Sequence, residues 1–319
     1  MHVLVLHSEV PPDAPAEDQD TLVAARAVAG ALVSRGHQAP LAAFDAAGLR
    51  ALIAAEAPDA VFNLVEAIEG KGRLAYQAPE LLEEIGIPYT GTGADALIAT
   101  GDKPRAKRLF REAGIPTPDW SEPPGWVGLA QGLWIVKAAE EDASLGLDDD
   151  AVVEAREVPA RAEACAARFG GRWFAERYVD GREFNVSVLE EKSGPRVLPM
   201  AEMTFQDWPG DRPRIVGYGA KWAEHTFDYT RTVRAFGVEG REPELAAALR
   251  SLSERAWSLF ALKGTARVDF RVDEAGRPLV LEVNPNPGIA PDAGLAAAAG
   301  RAGLSYAELI EKIVLAALP

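Results

Sequence analysis

The stretch Ala266-Arg267-Val268-Asp269-Phe270-Arg271-Val272, continued by Asp273-Glu274-Ala275-Gly276-Arg277-Pro278 and Leu279-Val280-Leu281-Glu282-Val283-Asn284, decides how this chain is read. Two runs alternating apolar and polar residues, joined by a glycine-containing turn, specify a β-hairpin. If Val272 and Leu279 are the last pair before the turn, Asp269 falls opposite Glu282 and Arg267 opposite Asn284. Alternation then puts all four on one face. Two carboxylates facing each other across a strand pair repel unless something positive lies between them. Two acids and an amide oxygen, with no thiolate or imidazole, form a hard all-oxygen set that suits Mg²⁺ and leaves substrate phosphates to complete its shell. Arg267 on the same face can hold a phosphoryl group, stabilise a developing oxyanion, or neutralise the two acids. A solvated, charged hairpin face would explain Asp269 or Glu282 singly. It explains less well the pair together with Asn284 and the abrupt turn Pro285-Asn286-Pro287-Gly288.

Around this hairpin lie 319 residues, enough for two domains of about 150 residues or one large α/β domain. Acidic residues outnumber basic ones 48 to 33, for a formal charge of −15, so no nucleic-acid partner is expected. A small anion held by a few local bases remains compatible with that balance. The single cysteine, Cys165, can form neither an internal disulfide nor a cysteine zinc site, which suits a reducing compartment. No apolar run approaches the roughly 20 residues that span a bilayer, and Met1 to His7 lacks the features of a signal peptide. A cytoplasmic protein without a membrane partner is expected.

Strand-like runs at His2 to His7, Ala60 to Val65 and Ile87 to Gly91 alternate with helical patterns at Thr21 to Arg35 and Leu74 to Ile85. That order implies a small doubly wound parallel sheet in the first hundred or so residues. The acids Glu17, Asp18 and Asp20 suit the start of the first helix. A basic helix, Lys103 to Ala113, ends at Gly114, and the Pro-rich stretch Ile115 to Pro124 reads as a domain boundary. Beyond it come strands at Leu133 to Lys137 and Trp173 to Val179, a helix near Arg161 to Phe169, and strands at Glu183 to Leu189 and Arg196 to Met200. Helices at Pro243 to Leu262 and Ser305 to Leu318 follow a long polar and aromatic loop, Phe205 to Tyr229, and the length of the polar stretch Arg214 to Thr230 suggests a lid.

The hairpin with its Leu-Glu-Val-Asn-Pro-Asn-Pro-Gly ending resembles the metal-binding hairpin of the ATP-grasp superfamily. The order of motifs is similar to its D-alanine–D-alanine ligase branch. The matching pieces, in order, are Val61-Phe62-Asn63-Leu64, Gly86-Ile87-Pro88-Tyr89-Thr90-Gly91, Asp102-Lys103, Ile135-Val136-Lys137, Ala175-Glu176-Arg177-Tyr178, Gly181-Arg182-Glu183-Phe184 and Ala220-Lys221. The resemblance spans nearly the whole chain. It implies an α/β architecture: a doubly wound parallel-sheet domain over residues 1–100, then a two-part ATP-grasp α+β fold divided into residues 101–180 and 181–319. It implies ATP with Mg²⁺, or Mn²⁺ in its place, bound by Asp269, Glu282 and Asn284. By the same resemblance Lys103 and Lys137 contact phosphates, the hinge from Glu176 through Arg177 to Val179 reads adenine, Glu183 binds ribose and Leu281 lies under the base. Arg267 and Lys221 serve the reaction, in which a substrate carboxylate is phosphorylated and the acylphosphate captured by an amine. A homodimer acting on small amino-acid-like substrates is implied as well.

The resemblance is imperfect where substrates bind. After Lys137 the chain reads Glu140-Glu141-Asp142-Ala143-Ser144-Leu145-Gly146, with Ala143 in place of a family serine; Trp222 replaces the lid tyrosine. Ala293, preceded by Asp292, stands where a serine captures the second substrate's carboxylate, and an alanine cannot donate that hydrogen bond. The glutamate that meets the first substrate's amino group has no clean counterpart, Glu17 and Asp20 both being candidates, and Glu66 is acidic where the family usually is not. A substrate pair other than two D-alanines is therefore expected, with a cationic group on at least one partner. Two other readings are an ATP-grasp kinase phosphorylating a small molecule and a non-catalytic nucleotide-binding module.

Overall fold

The computed structural model describes residues 1–11, 16–141, 144–223 and 225–319, with the side chains of 16–18 and 222 outside that description. The N-terminal segment builds a three-stranded parallel sheet from β1 (Val3–His7), β2 (Leu41–Ala43) and β3 (Ala60–Leu64), in the order β2-β1-β3. β1 and β3 are almost wholly apolar because helices cover both faces, the condition a parallel sheet requires. The expected strand at Ile87 to Gly91 is reduced to one parallel bridge, Val61 to Tyr89.

A four-stranded antiparallel sheet follows, built from β4 (Trp120–Ser121), β5 (Leu133–Ala138), β6 (Val152–Glu154) and β7 (Trp173–Arg177) in the order β4-β7-β5-β6. The third sheet, also antiparallel, contains β8 (Arg182–Glu191), β9 (Gly194–Val197), β10 (Ala201–Phe205), β11 (Thr232–Ala235), β12 (Thr265–Val272) and β13 (Pro278–Asn284). Its order is β11-β10-β8-β12-β13, with β9 paired to β8. Helix Pro243–Leu259 covers its inner face, where Phe184, Val268, Phe270, Leu249 and Trp257 form one core. A second core joins this unit to the first sheet: Val3, Phe62 and Leu32 pack with Leu189, Leu295 and Ile310. Gly264, at φ +67°, marks how close the units come, since a Cβ there would lie 2.9 Å from the Gly91 nitrogen.

Helix starts follow local chemistry. Asp102 caps helix Lys103–Glu112 by accepting the Arg105 N–H at 2.9 Å, and Pro104 sits in the first turn, where its missing N–H costs nothing. Ser305 and Glu308 form a reciprocal capping box on helix Tyr306–Ala317. The segment expected as an open loop, Phe205 to Tyr229, instead carries two five-residue helices, Tyr218–Trp222 and Phe227–Arg231, the second capped by Thr226. Elements that short give no usable periodicity. Among the described residues no helix is long and apolar enough to cross a membrane.

Candidate active site

All three sheets contribute to one cleft of about 2000 Å³, whose walls include Asp20, Lys103, Lys137, Lys221, Asp269 and Glu282. On the hairpin, Arg267 pairs with Asn284 and Asp269 with Glu282, so the four polar side chains share a face while Val268, Phe270 and Val283 point into the core. The expected closing pair is wrong. A register shift between Asp269 and Phe270 sets Phe270 against Val280 and Val272 against Pro278, leaving Leu281 as the extra residue on the cleft wall.

Of the two carboxylates, Asp269 is paired with Arg267. Its Nε donates to Asp269 Oδ1 at 2.7 Å and its Nη2 to Oδ2 at 2.8 Å. Asn185, on the neighbouring strand β8, adds a bond to Asp269 Oδ1 at 2.8 Å. Glu282 is half-buried and has Lys103 Nζ 3.8 Å away; Asn284 Oδ1 accepts the Asn286 N–H at 2.9 Å. Among the described residues no three His, Cys, Asp or Glu side chains cluster as a metal site. Two carboxylates and an amide cannot cage an ion, but they fit Mg²⁺ that shares its shell with phosphate oxygens and water.

Lys103 crosses from its helix to donate to the Glu141 carbonyl at 2.8 Å. Lys137, at the end of an apolar strand, donates to Glu176 Oε1. The other Glu176 oxygen lies 2.6 Å from Lys107 Nζ, which also donates to Thr117 Oγ1 at 2.8 Å. Lys107 is 1% exposed and Glu176 2%. Burial alone would raise the Glu176 pKa, yet Lys107 and then Lys137 outweigh it and hold the carboxyl at about 2. Burial keeps Lys107 below the ordinary lysine range even against the pull of Glu176. The Glu176 side chain, expected in an adenine-reading hinge, is thus turned into this buried triad. In the sequence Lys107 is only one residue of the basic helix that runs from Lys103 to Ala113. Its signal was the i, i+4 spacing from Lys103, which puts both lysines on the buried face and Arg105, Arg108 and Arg111 outside.

Arg177 and Val179 border the cleft, but the Arg177 guanidinium runs back to the Gln131 carbonyl at 2.5 Å. Glu183 is buried against Arg271 at 2.8 Å. Lys221 meets water in the open cleft although protein rings it. That crowding first, then the charge of Arg267, depresses its pKa, while Glu282, Asp269 and Glu183 pull the other way.

Toward the N-terminal sheet, burial and then the negative charge of Asp292 raise the Asp20 carboxyl. Glu66 borders the same region, its N–H donating to Ser8 Oγ at 3.0 Å. The acidic loop is partly committed: Glu140 pairs with Arg172 at 3.0 Å. Asp142, Ala143 and Glu224, and the side chains of Glu17 and Trp222, lie outside the described residues. Arg234, unremarked in the sequence, borders the cleft and donates to the Asp292 carbonyl at 3.4 Å.

Residues 132–315 match the profile of the family described as D-ala D-ala ligase C-terminus. A D-alanine–D-alanine ligase of Chromohalobacter salexigens is 33% identical over 305 residues, covering 94% of this chain and 90% of that one. An uncharacterised protein of Sinorhizobium fredii is 32% identical over 300 residues, covering 91% and 86%. Among solved structures, the D-alanine–D-alanine ligase of Bacillus anthracis complexed with ATP superposes with a TM-score of 0.76 at 22% identity, covering all of this chain and 97% of that one. Fold and relatives together define an ATP-grasp carboxylate–amine ligase, an enzyme that forms ADP and phosphate. The chain belongs to the D-alanine–D-alanine ligase family.

Proposed function

We propose that the protein uses ATP to join the carboxylate of one small amino-acid-like substrate to the amine of another, and that this pair is not two D-alanines. The observation that carries the chemistry is the shared face of Arg267, Asp269, Glu282 and Asn284, with Lys103 across the cleft from Glu282. Lys103 and Lys137 hold the phosphates. Asp269, Glu282 and Asn284 would hold Mg²⁺, which would supply positive charge to offset the negative charge developing on the transferred phosphate. A carboxylate oxygen of the first substrate attacks the γ-phosphorus and ADP leaves. The deprotonated amine of the second then attacks the acyl carbon, and phosphate departs with the electrons of the C–O bond. Arg267 stabilises the oxygen of the tetrahedral intermediate.

The substrate pair is inferred from Asp20 and Asp292. Burial and then the charge of Asp292 make an ionised Asp20 costly, a cation placed between these two cleft residues would offset that, and Ala293 offers no hydroxyl to a carboxylate. In an amino-acid and small-carboxylate library screened for ADP release, with mass detection of the joined product, the fastest turnover is expected for a pair carrying an additional amino or other cationic group. D-alanine alone turning over as fast as any other amino acid would refute this. Asp292→Asn should raise KM for the cationic partner about tenfold, the loss of roughly 1.4 kcal/mol, and leave KM for ATP unchanged.

A further inference from the structure

Arg271 has no part in that scheme, yet it is among the most buried charged side chains in the protein, at 4% exposure. It shares a β12 face with Arg267 and Asp269, and its guanidinium reaches three acceptors on two separate segments. Nη2 lies 2.8 Å from a Glu183 carboxylate oxygen and also donates to the Arg214 carbonyl, in the long segment between β10 and β11. Nη1 donates to the Gly181 carbonyl at 3.2 Å, between the hinge and β8. Tyr178 closes the circuit: its hydroxyl accepts the Arg214 N–H at 2.9 Å, and its ring centroid lies 6.0 Å from the guanidinium carbon. Gly181 has no alternative there, because a Cβ would collide with the Val272 carbonyl oxygen.

A buried ion pair is weak evidence of net stability, since desolvation offsets most of its attraction. What a guanidinium supplies that an apolar group cannot is a planar fork serving several acceptors in fixed directions. Burial pushes the Glu183 carboxyl up and Arg271 is the largest influence opposing it.

We propose that Arg271 is a positioning residue that ties the nucleotide's sugar site to the lid, keeping Glu183 aimed at the ribose while gripping Arg214 of the segment that lines the cleft. This rests on the reading of Glu183 as the ribose acceptor. A lysine retains the charge but cannot serve three acceptors. Arg271→Lys should therefore raise KM for ATP about tenfold while kcat stays within about threefold, and ATP with Mg²⁺ should no longer protect residues 206–231 from limited proteolysis. Because the lone Arg271→Met change strands a buried carboxylate, it is paired with Glu183→Gln. That double variant should fold and show the same raised KM and unprotected lid. Unchanged KM for ATP and retained protection in Arg271→Lys, with only a lower melting temperature, would overturn the proposal. Glu183→Ala separates the two ideas. A raised KM there beside an unchanged one in Arg271→Lys removes the coupling alone, whereas an unchanged KM in Glu183→Ala removes the ribose assignment beneath it.

Discussion

Glu282→Gln should lower kcat by about two to three orders of magnitude while leaving the melting temperature close to that of the parent. The amide keeps the volume and one oxygen of the carboxylate but loses its charge. Of the two acids on the hairpin face, Glu282 is the one whose charge the fold itself needs less. Asp269 is gripped by Arg267 and Asn185, so neutralising it would also disturb the arginine, whereas Glu282 is half-buried with Lys103 at 3.8 Å. A loss in Glu282→Gln can therefore be read as lost handling of the metal and phosphates. Steady-state kinetics across a Mg²⁺ titration give a second signature: the concentration for half-maximal rate should rise, since one charged ligand has gone. Unaltered turnover, or a loss matched by unfolding in the melting curve, would remove Glu282 from the metal site.

The alternation in the two hairpin strands carried the pairing of Asp269 with Glu282 and of Arg267 with Asn284, because period-two patterning is a local property of the chain. The extra residue at Leu281 was not legible. A bulge leaves both runs alternating on either side and changes only the count between them, which a gapless reading puts at the turn instead. Strands β1 and β3 stand out as short apolar runs bounded by turn residues. β2, β10 and β11 do not, being without a bounded run of large apolar residues and taking their order from neighbours distant in sequence. Asn185 and Arg271 show the same limit within the cleft. Alternation puts Glu183, Asn185 and Ser187 on one face of β8, but only the register against β12 brings Asn185 to Asp269. Glu176 misled for a related reason, since an acid on a strand end beside a hinge carries no sign of the two lysines that meet it.

Those two lysines make Glu176→Gln the substitution with the largest expected effect on stability. Lys107, 1% exposed, would face a neutral amide with the Thr117 hydroxyl as its other partner, and Lys137 would lose its charged anchor beside the phosphate site. Stranding one member of a buried ion pair costs about 3–5 kcal/mol. In a chain of 319 residues that corresponds to a fall in Tm of about 5–7 °C. The effect has a pH signature. The Glu176 pKa is depressed from 4.5 to about 2, so its stabilisation is fully present above about pH 4.5 and is lost as pH falls toward 2. Melting curves at pH 7, 5 and 3 should show the gap between parent and variant narrowing at the lowest value; a gap that stays constant would deny the charge its role. The double replacement Glu176→Leu with Lys107→Met removes both buried charges and should recover much of the Tm. It leaves Lys137 without the carboxylate that aims it, so ATP turnover should stay low, and recovery of stability without recovery of rate would show that the triad serves the phosphates and not the fold alone.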